Sequence, residues 1–523
     1  MLLHELALAR AAVDDDAPAL ITPEGTWSRR DLRSAVEDLA RAAATLAPPG
    51  GRIAIVSDSR PEVVALLLAI PAAGRVAVPL NTRLTPEEMA AQLTVAAVEA
   101  VVGSAEELGR LAPVLGGVDT VRTVVGLDPG AGDISLSALA AAPALPSSRR
   151  PGAATDPAWI IFTSGTTGRA KGAVLTAASL GAAVATTAVS RPLAADDVYL
   201  YPFPLHHVSA YNVLHALSRR RPVVLPTRFD TGVIAALAAR HGVTVVSLAP
   251  TMLRMLLDHR EKAPDPASVF AALRTITYGA APMPPGLLAE ADAAFGAEFA
   301  QGYGMTELSG NAVFLSPDDH RRGLAGDERM LAAAGRPGPG VELRITGVDG
   351  RVLPPGEAGE VRVRAAQVCA GYWDDPEATA AAMVDGWLRT GDIGVLDDDQ
   401  LLTIVDRAKD IIVTGGENVA SREVEDVIGR HPLVGRVAVI GIPDDHWGEA
   451  VCAVVVVRAG AEHDPTTTAA DIRARAGTGL ARFKVPKRVV FVDELPVNAG
   501  GKVVKAELRR RVAADAARHP DGG

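Results

Sequence analysis

Apolar and polar positions follow two rhythms through residue 340. Short runs dense in Val, Ile and Leu recur at 52–58 (RIAIVSD), 74–80 (GRVAVPL), 221–226 (RPVVLP) and 243–250 (VTVVSLAP). Their apolar character is nearly continuous, the pattern of strands buried on both faces. Helix-length stretches rich in Ala and Leu lie between them, such as TGVIAALAARH at 231–241. Thr85-Pro86-Glu87-Glu88 opens another with a capping box and Pro at the first helical position. Strand and helix alternating in this way predict layered α/β architecture, and its recurrence predicts a large body of repeated sub-layers.

Near 340 the rhythm changes. GVELRITGVDGRVLPPGEAGEVRVRA (340–365) reads as a β-meander with turns at Asp349-Gly350 and Pro354-Pro355-Gly356. After 406 a compact α/β pattern follows: EVEDVIGRHP as helix, RVAVIGIP and AVCAVVVVR as strands, TAADIRARAGTGL as helix, RVVFVD as strand. The fold class expected is α/β: a large N-terminal domain of layered subdomains plus a β-rich part over 1–406, and a small α+β C-terminal domain over 410–511. The tail from 512 is expected to be disordered.

Length supports this division, since 523 residues exceed what one core organises. The net charge of -10 and scattered basic residues offer no basic stripe, so nucleic acid is not an expected partner. Two cysteines, Cys369 and Cys452, without a CxxC or Cys/His cluster, point to buried thiols rather than a zinc site or disulfide framework. The N-terminal MLLHELALARAAVDDD is broken by charge and reads as an amphipathic helix, not a leader. The most apolar stretch, 63–80, contains Pro71 and Arg75 and falls short of a membrane span. A cytoplasmic protein without membrane contact is expected.

Candidate chemistry begins at FTSGTTGRAKGAVLT (162–176). Glycines let backbone N–H groups approach an anion, hydroxyls add donors and Lys171 adds charge. A P-loop would have Gly immediately before the lysine and Ser or Thr after it, whereas Lys171 lies between Ala170 and Gly172. Phosphate binding and an ordinary surface turn fit this loop alone about equally. QGYGMTE (301–307) offers a tyrosine between glycines to stack a flat ring and Glu307 as an oxygen ligand for a hard cation. WLRTGDIG (387–394) presents Asp392 to ribose hydroxyls or to its own backbone. VDRAKDIIVTGGENV (405–419) joins Arg407 to the Gly415-Gly416 turn, and PVNAGGKVVKAELRRR (496–511) presents Lys502 on a Gly-rich loop.

In this order, spanning 163 to 502, these stretches resemble the core motifs of the adenylate-forming superfamily: acyl- and aryl-CoA synthetases, adenylation domains and luciferases. The chain is most similar to stand-alone bacterial acyl- or aryl-CoA ligases. The resemblance implies that a carboxylic acid attacks the α-phosphate of ATP, with Mg²⁺, releasing pyrophosphate, and that the acyl group then passes to a thiol. It implies a phosphate clamp of Thr163, Ser164, Gly165, Thr166, Thr167, Gly168 and Lys171. It implies an adenine pocket of Gly279, Ala280, Ala281 and Tyr303. Thr306 would contact the α-phosphate, Glu307 would hold the metal, and Asp392 with Arg407 would take the ribose.

In the HHV stretch 206–208 either His206 or His207 could match the family position beside the substrate carboxylate, and His207 is preferred because it precedes Val208. Lys502 would bridge carboxylate and phosphate. Residues 407–409, with Lys409, match a hinge about which the C-terminal domain rotates. Rotation would replace Lys502 by Gly415, Gly416 and Glu417 along the thiol tunnel, and Lys484 would serve the phosphates of coenzyme A.

Coenzyme A is the first acceptor implied. A carrier-protein thiol, an amine or another nucleophile such as nitrite remain open. A non-catalytic nucleotide-binding regulator is the contrasting class, although such a binder has no need of Lys502. The acid pocket implied includes Tyr211, Asn212, Thr251, Gly302, Gly304 and 308–310, a mostly apolar wall suited to a medium-chain or aromatic acid. No Arg or Asp stands out in the sequence to meet a second carboxylate or an amino group, which points away from dicarboxylates and amino acids.

Overall fold

The computed structural model describes residues 1–8, 15–141, 152–163, 170–414, 417–444, 447–497 and 503–518. By compactness the chain forms two units. One is Met1–Leu343 with Val363–Leu388; the other is Arg344–Arg362 with Arg389–Gly523.

Two large sheets build the first unit. The seven-stranded sheet runs Ile134–Ser135, Thr123–Gly126, Ala100–Gly103, Arg52–Val56, Val76–Pro79, Pro157–Thr163, Lys171–Thr176. Its neighbours are parallel until the last pair, which turns back antiparallel with Thr163 opposite Lys171. The nine-stranded sheet runs Arg336–Pro337, Gly310–Leu315, Glu298–Met305, Thr275–Gly279, Val245–Leu248, Tyr199–Leu200, Val223–Val224, Pro18–Ile21, Thr26–Ser28, parallel through its middle. All four residues of Ala100–Gly103 and of Val76–Pro79 are buried, which is why those runs read as unbroken hydrophobicity.

Local chemistry sets the helix ends. Thr85 accepts from the Glu88 amide and Pro86 takes the first turn, so the helix Pro86–Val95 starts where the capping box predicts. Asp230 caps Thr231–His241, and Gly242, at φ 59°, stops it in the left-handed region that favours glycine. The apolar stretch 63–80 divides into the buried helix Pro61–Ala72 and the strand Val76–Pro79. Among the described residues no helix is long and apolar enough to cross a membrane. The N-terminal helix is short, Leu3–Ala7.

The β-meander forms a third sheet: Val341–Thr346, Ala358–Ala365, Trp387–Leu396, Met383–Val384, with Leu402–Arg407 also beside Trp387–Leu396. A fourth sheet lies within the second unit: Glu417–Val419, Ile412–Thr414, Gly448–Val457, Val434–Asp444, with Arg488–Phe491 parallel to Gly448–Val457. Its strands alternate sides with period two. Val439, Val451, Ala453 and Val455 pack with Val424, Ile428 and Ile472. Ala438, Ile440, Cys452 and Val454 pack with Leu508 and Val512.

That second core corrects the tail boundary. The last helix runs Lys505–Arg518, past 511, because Leu508 and Val512, one turn apart, both bury against the sheet. Cys369 and Cys452 are buried free thiols.

Candidate active site

The strands Glu298–Met305 and Gly310–Leu315 form a tight antiparallel hairpin whose tip holds Thr306 and Glu307. Ser309, at φ 52°, and Gly310, at φ 150°, close the turn. The two strands come so near that a Cβ on Gly304 would lie 2.0 Å from the Gly310 carbonyl oxygen. Glycine is required there because nothing in that backbone can yield.

Glu307 is half-buried and held from two directions. The Tyr372 hydroxyl donates to Glu307 Oε1 at 2.8 Å, and the Cys369 amide donates to the Glu307 carbonyl oxygen at 2.8 Å. The segment carrying both residues lies along the strand that follows the phosphate loop: Val174 N donates to Gly371 O at 2.9 Å and Trp373 N to Gly172 O at 2.7 Å. Lys171 Nζ stands 5.3 Å from the centre of the Tyr372 ring, within cation–π range. Burial, and then Glu307, push the Tyr372 hydroxyl well above its ordinary range, so it stays a proton donor to the carboxylate. Thr163, Lys171, Thr306 and Glu307 thus belong to one arrangement in the first unit. The glycine loop residues Ser164, Gly165, Thr166, Thr167 and Gly168 lie outside the described residues.

The expected adenine residues come from neighbouring parallel strands. Gly279 pairs with Gly302, and a Cβ on Gly279 would meet the Gly302 carbonyl oxygen at 2.6 Å. Ala280, at φ 67°, is exposed in a left-handed conformation, as is Ala281 in exposure. Tyr278 and Gln301, the residues just before these glycines, are joined by a hydrogen bond of 3.0 Å, and Tyr278 also meets His320 Nε2 at 2.7 Å. Tyr303 lies on the hairpin opposite Val313.

His207 directly precedes the turn Val208–Ala210, its ring 4.4 Å from that of His206. Nε2 of both rings is buried, with no hydrogen-bond partner among the described residues. Burial, then the positive charge of Arg83, holds His207 at about 4, so it is neutral at physiological pH. A neutral imidazole beside a carboxylate-binding site donates or accepts one hydrogen bond without adding charge.

In the second unit Asp392 faces Arg407 across antiparallel strands, with Arg407 Nε 2.6 Å from Asp392 Oδ1. Gly391, at φ 70°, makes the bend that presents Asp392. Asp406 accepts from the Arg407 amide at 2.7 Å and from the Ser421 hydroxyl at 2.6 Å. Lys505 in turn reaches Ser421 Oγ at 2.5 Å and Glu425 Oε1 at 2.7 Å. Lys409 is exposed, and Glu417, also exposed, opens the strand Glu417–Val419. Lys484 is engaged by both carboxylate oxygens of Glu423 at 2.7 Å, a partly exposed pair that yields readily to a competing anion. Gly415, Gly416 and Lys502 lie outside the described residues.

Two residues were not singled out in the sequence. Tyr372 had no motif to mark it. Arg191, buried, donates from Nη2 to Tyr211 Oη at 3.1 Å and to Asn212 Oδ1 at 2.8 Å. Arg191 thus lies against two residues of the expected acid pocket, where no arginine stood out in the sequence. Arg191 ends a helix some twenty residues away in sequence, and only the fold brings it to Tyr211.

The layered α/β body, the carboxylate-tipped hairpin beside the phosphate-loop strand and the separate second unit define an adenylate-forming enzyme. Comparison with known proteins agrees. Residues 8–373 match the AMP-binding enzyme family and 423–502 match the AMP-binding enzyme C-terminal domain. The chain belongs to the AMP-binding enzyme family. It is 36% identical over 466 residues to a feruloyl-CoA synthase of an Amycolatopsis species, covering 88% of this chain and 89% of that protein. It is 34% identical over 519 residues to the indoleacetate–CoA ligase of Aromatoleum aromaticum, covering 98% of each. Its fold is similar to that of the amide bond synthetase McbA from Marinactinospora thermotolerans, with a TM-score of 0.86, 34% identity and coverage of 98% of this chain and 99% of that one.

Proposed function

We propose that this enzyme activates an aromatic or medium-chain carboxylic acid with ATP and transfers the acyl group to coenzyme A. In the first step a carboxylate oxygen attacks the α-phosphorus. The bond from that phosphorus to the bridging oxygen breaks, and pyrophosphate leaves with its electron pair. In the second step the thiol sulfur attacks the acyl carbon, AMP departs, and the thiol proton is lost. Neither step needs covalent catalysis by the protein, so its contribution is positioning and charge.

The observation that carries this reading is the join between the phosphate-loop strand and Glu307 through Tyr372. Lys171 and the loop 163–168 hold the phosphates that become pyrophosphate. Glu307 suits Mg²⁺, since that ion is commonly bound by one or two carboxylates together with substrate phosphates. One Glu307 oxygen accepts from Tyr372, so the carboxylate is fixed in orientation, as a metal ligand needs. A magnesium ion held by Glu307 would supply positive charge at the phosphates. Thr306 donates to the α-phosphate, and neutral His207 steadies the attacking carboxylate. Gly279, Ala280, Ala281 and Tyr303 take the adenine, Asp392 and Arg407 the ribose.

The coenzyme A assignment is supported by the two ligases named above and by Lys484. The amide bond synthetase supports an amine as the second reading for the acceptor. The hinge at 407–409 rests on the resemblance of 405–419 to the family motif, and Asp406, bonded to Ser421 across it, would have to release that bond on rotation. Incubation of the protein with ATP, magnesium and a panel of acids, with and without coenzyme A, tests the reading by product mass. An acyl-CoA is expected. An acyl-adenylate that persists beside coenzyme A and disappears on adding an amine would favour the second reading.

A further inference from the structure

Arg191 ends the helix Ala177–Ser190 and is buried at 9% exposure. Among the described residues no carboxylate bonds or ion-pairs with it. Nη2 donates to Tyr211 Oη and Asn212 Oδ1, while Nε is buried without a partner. The guanidinium stands 5.6 Å from the centre of the Phe314 ring. One turn on from Tyr211, His215 is also buried, with Nε2 unpartnered among the described residues. The same Tyr211 ring closes on Gly310, where an added Cβ would meet it at 2.9 Å.

A cation stripped of water and given only neutral partners is costly. An aromatic face and two neutral acceptors compensate a fraction of what an anion supplies. A guanidinium with no anion and one unpaired N–H among the described residues therefore lies against Tyr211 and Asn212, with a buried imidazole one turn on. Together they suit an acceptor oxygen.

We propose that Arg191 is a specificity-determining residue that reads an oxygen acceptor, hydroxyl or carboxylate, at the far end of the acid. The inference rests on the reading of Tyr211, Asn212 and 308–310 as the wall of the acid pocket. It narrows the substrate class from any acid of suitable size to one with a distal polar oxygen, and it reverses the sequence-based disfavour of dicarboxylates. The oxygen accepts from Arg191 Nε, and Asn212 keeps the guanidinium plane fixed. A pocket that pairs a polar group rejects the analogue lacking it, because its own donor is then left bare.

The test uses the whole protein and matched acids that differ only in the distal group: methyl, hydroxyl or carboxylate, on an arylpropenoic and a straight-chain framework. Acid-dependent ATP–pyrophosphate exchange gives kcat/KM for each. At least one oxygen-bearing acid is expected to exceed its methyl partner by roughly 10- to 100-fold, the worth of a charge-assisted hydrogen bond. Whether hydroxyl or carboxylate leads identifies the source of the oxygen. Arg191→Met is expected to bring that ratio to about one, with the loss falling more heavily on the oxygen-bearing acid, and Arg191→Lys to give an intermediate ratio. A wild-type ratio near one, or equal loss for methyl and oxygen acids in both variants, would overturn the proposal. Exchange with no acid at all would instead overturn the acid-activating reading beneath it.

Discussion

Tyr372 Oη donates to Glu307 Oε1 at 2.8 Å, and its ring lies under Lys171 Nζ at 5.3 Å. One side chain therefore couples the cation beside the phosphate loop to the carboxylate at the hairpin tip. Tyr372→Phe keeps the ring and removes only the hydroxyl. Adenylation is expected to fall roughly 10-fold, with the magnesium requirement shifted to higher concentration. Glu307→Gln is expected to lose roughly 100-fold or more, since a neutral amide still accepts from Tyr372 but is a poor ligand for the ion. Exchange rates measured across a magnesium titration check both.

The glycines of the hairpin make a graded prediction. A Cβ at Gly304 meets the backbone oxygen of Gly310 at 2.0 Å, whereas one at Gly302 meets the Asn311 amide nitrogen at 2.1 Å. A side-chain amide swings aside more readily than a backbone carbonyl. Gly304→Ala is therefore expected to abolish exchange and lower the melting temperature, and Gly302→Ala to do less of both. Melting curves and exchange rates on the purified variants decide it.

The buried histidines fix a pH dependence. Burial first, and neighbouring arginine charge second, hold His207 at about 4 and His215 at about 3, against an unfolded value of 6.5. Between 6.5 and those values the unfolded chain binds more protons than the folded one. Their contribution is complete above 6.5 and drains as pH falls through that window. Urea midpoints are expected to decline with acidification there, and His215→Gln to flatten the decline.

Both thiols are buried and pushed up to about 12, in each case chiefly by burial. Native protein is expected to resist iodoacetamide, and protein unfolded in urea to take up two labels, as read by mass.

The sequence made the strand–helix alternation and the capped helices legible because each depends on local periodicity and local turn chemistry. The helix expected at 231–241 forms over Thr231–His241, and the capping box at Thr85 holds. Where contacts are long-range the sequence was silent. Tyr372 reaches Glu307 across 65 positions, and Arg191 reaches Tyr211 across 20, so neither pairing has a spacing signature. The last helix runs to Arg518, beyond the boundary expected at 511, because an Arg-rich surface masks in sequence the burial of Leu508 and Val512. The motifs identified the reaction. The acid is decided by walls that only folding assembles.

Lys502 and the Gly415-Gly416 turn are proposed to serve different half-reactions. Lys502→Ala is expected to abolish adenylation while leaving thioester formation from supplied acyl-adenylate. A Gly416→Trp variant is expected to do the reverse. Equal loss of both half-reactions in both variants would remove the rotation about 407–409.

The central claim, that a carboxylic acid attacks the α-phosphate of ATP on this protein, is tested most directly by isotope exchange between pyrophosphate and ATP in the absence of any thiol. Exchange is expected to require an acid, saturate with it and vanish in Glu307→Gln. Exchange or phosphate release that proceeds equally without an acid, or no exchange with any acid of the panel, would contradict it.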